Sequence, residues 1–432
     1  MARSRKVFSW HSRSLWIVAS LLAVGGAGLW LLGETAEPIS LAEVQQAMTA
    51  GDFQQAGVAV RRYLAQHPED SEAWLLLARC HEQADAPLEA AAAYARVGKD
   101  SAARKQAAER RAMVLLKSAH FDAGEAAMLE YLAEYPDSPA AVLELYWTYF
   151  VQLRERDCQQ LLEQALASRP ADFRYLYHLL QGSQKPPVAQ EAVLNLERVE
   201  AAVPHQPAVE LALGRCYWLL GRTELAERYL ASALKGVPDE PSAVLAAAGF
   251  HLEQGHEERA AELLGKPVAA GEGSTEAELQ QDDRWWWLQS QLALREDRLE
   301  EALSLLDEAM KRRPGQLQYV QSYGMILNRL GRQKEAAPWL ERAGQLASSD
   351  RALYELVHSG AVEQPDAGTC QQVARHLAVL GRNRQAAGWR ELARMLQLRG
   401  QTNHRPSTTT EVASERMAAS RGPLTAAARK PS

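Results

Sequence analysis

From about Ile39 to Arg399, apolar residues recur at three- and four-residue spacing, the period of a helix that buries one stripe. Short punctuation separates these patches, as in GDF at 51–53, LGR at 220–222 and QGH at 254–256, and prolines return at the end of alternate patches. The pattern predicts an all-α array of helical hairpins with no strands to interrupt it. From Gln401 onward the apolar period is lost, and the remainder reads as a disordered tail.

One stretch is apolar on every face. Leu15 to Leu32 carries no charge, and as a helix it covers about 27 Å, close to the hydrocarbon thickness of a bilayer. Arg3, Arg5, Lys6 and Arg13 precede it, Glu34 and Glu37 follow it, and the next basic residue is Arg61. The charge bias predicts a cytoplasmic N-terminus with the bulk of the chain outside the cytoplasm. Trp10, Trp16 and Trp30 stand near the two ends, where an apolar ring with one N–H donor fits the interface. The alternative is a signal peptide, cleaved to release a secreted protein. Against cleavage, apolar character runs past Gly25-Gly26-Ala27, and the later Thr35-Ala36 site has charged Glu34 where a small residue is wanted.

The clearest repeating unit is Pro207 to Glu240, thirty-four residues long. Within it Leu213, Gly214 and Tyr217 are followed by Gly221 at a turn, then Ala226, Ala233 and Pro238. This unit resembles the tetratricopeptide repeat family, in which small residues sit where the two helices of a hairpin cross and proline ends the second helix. Stepping by one unit length finds Trp74, Ala78, Ala90 and Tyr94; Leu145, Tyr149, Ala165 and Pro170; Trp286, Ala302, Ala309 and Pro314; and Gly324, Gly331, Ala336 and Ala343. The resemblance implies a right-handed solenoid in which stacked hairpins bury a continuous seam. The expected organisation is a basic cytoplasmic segment at 1–14, a transmembrane signal-anchor helix at 15–33, about ten repeats over 37–399 with insertions near 269–283 and 348–366, and the tail at 400–432.

Composition narrows the function. The 432 residues carry a net charge of −6 with the signs mixed, which disfavours a nucleic-acid partner. Cys80, Cys158, Cys216 and Cys370 are too widely spaced for a metal knuckle, and in a solenoid they lie too far apart for disulfides, so all four are expected to be small buried residues. No HExxH, P-loop, GxSxG or dinucleotide fingerprint is present, and His251, His256 and Glu257 read as packing and turn residues. Neither an enzyme, nor a metal, nor a cofactor is expected.

The resemblance also implies a concave surface lined by the first helix of each hairpin. The family's groove positions fall on Arg79, Leu143, Trp147, Phe150, Arg174, Tyr177, Arg215, Trp218, Leu245, Arg284, Trp287 and Met325. Arginine and tryptophan dominate interface hot spots, so a protein or peptide partner follows, and the chain reads as an anchored scaffold or adaptor, with envelope complex assembly as its setting. The alternative is a binding module for a non-protein ligand such as a glycan, stacked on the tryptophans. Trp285, Trp286 and Trp287 sweep about 200° of helix, so they cannot all enter one seam. The Lys/Asn/Arg clamp that some family members close on a C-terminal carboxylate has no counterpart on the groove positions of adjacent units, so an acidic tail is not the expected ligand.

Overall fold

The computed structural model describes residues 40–185, 188–265 and 279–402. The segments at 1–14 and 15–33, the Pro186-Pro187 step, most of the insertion near 269–283, and the tail beyond 402 lie outside the described residues. Among the described residues no helix is long and apolar enough to cross a membrane.

Helices α1 (Leu41–Thr49), α2 (Phe53–Gln66), α3 (Ser71–Gln83), α4 (Pro87–Ala95), α5 (Arg104–Lys117), α6 (Phe121–Glu134) and α7 (Pro139–Val151) open the described chain. They continue as α8 (Glu155–Ser168), α9 (Phe173–Gln184), α10 (Ala189–Ala202), α11 (Pro207–Leu219), α12 (Thr223–Gly236), α13 (Pro241–Glu253) and α14 (Glu257–Gly265). The last six are α15 (Asp283–Arg295), α16 (Leu299–Arg312), α17 (Leu317–Arg329), α18 (Gln333–His358), α19 (Ala367–Val379) and α20 (Asn383–Thr402). Taken two by two they make ten hairpins, and no strand occurs among the described residues. Two compact units divide the chain between Ala141 and Val142, inside α7.

In the first unit, Asp52 accepts from the Gln55 N–H and Asp70 from those of Glu72 and Ala73, which satisfies the free donors at the starts of α2 and α3. Their apolar stripes meet that of α4 around Ala56, Val60, Leu76, Ala90 and Tyr94. Gly124 stands where the family prefers alanine, because a Cβ there would lie 2.6 Å from Leu116 Cδ2.

The second unit keeps the same construction over seven hairpins if α7 is counted with it. Gly214 is small for the expected reason: a Cβ would approach Leu230 Cγ to 2.8 Å across the α11–α12 crossing. All four cysteines are free and buried.

Contacts in this unit also join hairpins distant in sequence. Helix α20 packs on α8 and α9, and α18 packs on α9. Trp389 of α20 is fully buried and meets the Phe173 ring edge-on at 6.1 Å. Beside it Gly388 lies so close that a Cβ would be 2.3 Å from the Pro170 carbonyl oxygen and 2.7 Å from Leu176 Cδ2. Part of this closure comes from a segment expected to interrupt the repeats. Residues 348–358 extend α18 instead, because Leu346, Leu353 and Val357 continue a fully buried helical stripe beneath the polar Ser348-Ser349-Asp350 run. Gln184 donates to Asp350 across that contact at 3.1 Å, and the chain turns only at 359–366.

Candidate functional site

The second unit encloses a cavity of about 450 Å³. Its wall is built from the first helices of successive hairpins, with Tyr146 and Phe150 on α7, His178 on α9, Arg215 on α11, Ser242 on α13, Arg284 on α15 and Tyr319 on α17. The start of α8 contributes residues 154–159, the turn between two hairpins contributes Arg313, and the turn within the last hairpin contributes Arg382. A neighbouring cavity of about 500 Å³ shares Gln159, Arg313, Gln316 and Arg382 with it.

One side is aromatic. Tyr146 stacks on Phe150 with centroids 5.8 Å apart, and the His178 ring lies 5.0 Å from Tyr146. Burial pulls the His178 pKa down to about 4, so this wall is neutral at pH 7.

The other side is cationic. Six arginines line the cavity, against Glu155 and Asp157. Three of them have carboxylate partners: Arg154 reaches Asp157 at 2.7 Å, Arg284 reaches Asp282 at 2.7 Å, and Arg156 reaches Asp283 at 2.6 Å and Asp282 at 2.8 Å. Asp283 is nearly fully buried and also accepts from the Tyr319 hydroxyl at 2.6 Å. Burial opposes its charge, but the hydrogen bonds and charge of Arg156, with the Tyr319 bond, hold it below the usual aspartate value. Arg156 is correspondingly raised: burial is the largest single effect and opposes its charge, but the hydrogen bond to Asp283 together with the charges of Asp282 and Asp283 outweighs it.

The remaining three have no carboxylate within ion-pair distance among the described residues. Arg215 donates to the Leu153 carbonyl at 2.7 Å, Arg313 to the Gln159 amide oxygen at 3.2 Å, and the Arg382 guanidinium makes no hydrogen bond to the described residues. Desolvation lowers both Arg215 and Arg382; Arg284 adds repulsion at the first and Arg313 at the second. Glu155 and Asp157 favour the charge of Arg215 from a greater distance, as Asp350 and Glu163 do for Arg382.

Two interlocked turns bring Arg313 and Arg382 together. Gly315 (φ +89°) would place a Cβ 2.3 Å from the Leu380 carbonyl oxygen, and Gly381 (φ +73°) would place one 2.8 Å from the Pro314 carbonyl oxygen. Only glycine allows both the left-handed backbone and the approach. Gln385 is also nearly fully buried in the cavity wall: its Nε2 donates to Glu163 at 2.9 Å while its Oε1 has no partner.

Of the groove residues expected from the sequence, Phe150, Arg215 and Arg284 line this cavity and the others do not. Arg79 is exposed on α3 in the first unit. Arg174 is held by Asp172 at 2.7 Å, and Tyr177 packs on Phe173 and His178. Trp147 packs edge-on against Tyr146, Phe150 and His178, while Trp218 donates to Glu253 and meets Phe250. Trp287 stacks on Tyr319 at 5.1 Å. Its two neighbours are equally committed: Trp285 donates to the Leu264 carbonyl and Trp286 to that of Gln280. All three indoles are half-buried.

Among the described residues one trio has cation-ligand atoms within 4.8 Å of one another, Glu200, His205 and Glu210. Glu210 there accepts from Ser232 at 2.7 Å, and Glu200 from the His205 N–H at 3.0 Å.

The tetratricopeptide repeat family profile matches residues 41–104, 178–241, 211–275 and 288–350, together just over half of the chain. No curated protein matches it significantly. Among solved structures, MamA from Desulfovibrio magneticus RS-1 shares 18% identity over 41% of this chain and 96% of that one, with a TM-score of 0.32. MamA of AMB-1 gives 20% identity over 40% and 95%, with a TM-score of 0.31. MamA of MSR-1 gives 20% over 42% and 97%, with a TM-score of 0.30. With its helical hairpins, its close-crossing glycines and the profile matches taken together, the chain belongs to the tetratricopeptide repeat family.

Proposed function

We propose that this protein is a non-catalytic, membrane-anchored scaffold that holds a protein partner on the inner face of its second unit, outside the cytoplasm. The observation that carries the reading is the wall of first-helix residues converging on one cavity, with Phe150, Arg215 and Arg284 supplied by three different hairpins. A partner element seated there contacts several hairpins at once, so its affinity draws on separate contributions from each. The residues suit recognition more than catalysis. The guanidiniums are fixed cations, and His178, neutral and packed among rings, is poorly placed to exchange protons at pH 7.

A protein partner is favoured over a glycan because Trp147, Trp218 and Trp287 are engaged by neighbouring side chains, leaving few free ring faces for sugar stacking. Anchoring rests on the uncharged run from Leu15 to Leu32 behind a basic start. Substituting Arg215 and Arg284 together by alanine tests the site. A partner co-purified from membranes with the parent chain is expected to be lost while the helical content is kept, and retention of that partner would refute the reading. A reporter fused after residue 400 is expected to be active only outside the cytoplasm, and cytoplasmic activity would overturn the topology.

A further inference from the structure

Three guanidiniums that face one cavity without carboxylate partners are costly to bury, and the cost is recovered only when a counter-charge enters. Arg156 and Arg284 already have theirs in Asp282 and Asp283, and Arg154 has its own in Asp157. Glu155 lines the same cavity, and Glu163 and Asp350 line the neighbouring one and attract Arg382 from beyond ion-pair distance, so Arg215, Arg313 and Arg382 have carboxylates nearby but none in contact. The three without a carboxylate in contact come from separate elements, Arg215 from α11, Arg313 from the turn after α16 and Arg382 from the turn before α20. They are held in place by construction: the Gly315–Gly381 interlock fixes Arg313 and Arg382 side by side, and the Leu153 carbonyl fixes Arg215.

The geometry points to a binding site in this cavity for a phosphate-class dianion, gripped by Arg215, Arg313 and Arg382 with Tyr146 and Phe150 facing any organic portion it carries. Three guanidinium forks arriving from different directions suit a tetrahedral dianion, whose terminal oxygens can each accept from a separate fork, better than a flat carboxylate. A volume of about 450 Å³ admits a phosphate with a small organic group. The repulsion and desolvation at Arg215 and Arg382 agree with a site that is electrostatically frustrated until filled. This inference goes beyond the scaffold reading and stands whether or not a protein partner seats on the same face.

The test is calorimetry and thermal unfolding of the purified full-length chain with inorganic phosphate, phenyl phosphate and succinate, the last a dianion of the same charge with planar carboxylates. Both phosphates are expected to bind and to raise the unfolding midpoint, with succinate at least ten-fold weaker. Phenyl phosphate binding several-fold tighter than inorganic phosphate would assign an organic phosphate ester, and equal binding would assign free phosphate. Arg313→Gln and Arg382→Gln should each weaken phosphate at least ten-fold. Arg382→Gln should also raise the midpoint of the ligand-free protein, because it removes a desolvated charge repelled by Arg313, while Arg174→Gln leaves the phosphate affinity unchanged. Absence of phosphate binding would overturn the proposal, as would succinate binding as tightly as phosphate. So would an Arg382→Gln variant that is less stable yet keeps the full phosphate response, since that is the behaviour of a purely structural arginine.

Discussion

Closure of the second unit can be tested with a single methyl group. Gly388 and Gly344 are both helical, in α20 and α18, and an exposed glycine-to-alanine change in a helix stabilises by about 1 kcal/mol through backbone entropy. At Gly344 a Cβ would meet nothing within 4 Å, so Gly344→Ala should gain close to that full amount. At Gly388 the same Cβ would lie 2.3 Å from the Pro170 oxygen and 2.7 Å from Leu176 Cδ2, more than 1 Å inside the Pro170 oxygen's contact distance. A carbonyl cannot rotate away as a side chain does. The α20 helix must therefore retreat from the 170–176 segment, loosening the fully buried Trp389 from Phe173. Overpacking costs about 1–3 kcal/mol, and an overlap this deep with a backbone carbonyl belongs in the upper part of that range, about 2–3 kcal/mol, so the net loss after the propensity gain is about 1–2 kcal/mol. At about 2–4 °C per kcal/mol for a body of this size, the two variants should melt on opposite sides of the parent. Urea unfolding followed by circular dichroism gives the sign, and hydrogen exchange should show faster opening in α8, α9 and α20 for Gly388→Ala alone. If Gly388→Ala proves as stable as Gly344→Ala, α20 does not close on α8 and α9 as described.

Three further outcomes follow from the same structure. Asp283→Asn removes the buried carboxylate and leaves the half-buried Arg156 with Asp282 as its remaining partner, so it should destabilise by about 1–3 kcal/mol in chemical denaturation. Because Asp283 is depressed in the folded state, its contribution is complete above the ordinary aspartate pKa near 4 and is lost as pH falls through the lower folded value, so the variant should show a flatter acid limb below about pH 4. His178, lowered to about 4 by burial, stays neutral when folded while the unfolded chain protonates near 6.5, so stability should fall as pH drops from about 6.5 towards 4. Its imidazole resonances should accordingly remain unprotonated at pH 5.5. The four cysteines are buried, with Cys216 and Cys370 pushed up to about 11 by desolvation, so a thiol reagent at pH 8 should label none quickly in the native protein and all four in denaturant.

Much of the fold was legible because it is local. Helical spacing, turn glycines and the small residues at hairpin crossings are properties of one thirty-four-residue unit, and Gly214 against Leu230 repeats what the unit at 207–240 implies. What was not legible is long-range. The α18 extension was masked by Ser348-Ser349-Asp350, although Leu346, Leu353 and Val357 carried its period. The pairing of Arg156 with Asp283 spans 127 residues and depends on how far successive hairpins rotate, which no single unit encodes. At the site, the groove positions found Arg215, Arg284 and Phe150 because these lie on first helices. Arg313 and Arg382 escaped because they occupy turns, outside the helix positions on which groove reasoning operates. Their signal was the glycine adjoining or near each, at Gly315 and Gly381, and its meaning emerges only when the two turns interlock. The clamp for an acidic peptide tail was sought between adjacent units, whereas the arginines without carboxylates in contact gather from three separate hairpins.

The central claim, that the inner face of the second unit receives a partner, is tested most directly by photo-crosslinking in native membranes. A crosslinking amino acid at Gln318, exposed and on the cavity wall, is compared with one at Glu224 or Lys334, exposed on the second helices of their hairpins. The account predicts a discrete protein adduct from Gln318 that disappears with Arg215→Ala and Arg284→Ala, and none from the other two positions. Adducts from Glu224 or Lys334 with none from Gln318 would contradict it.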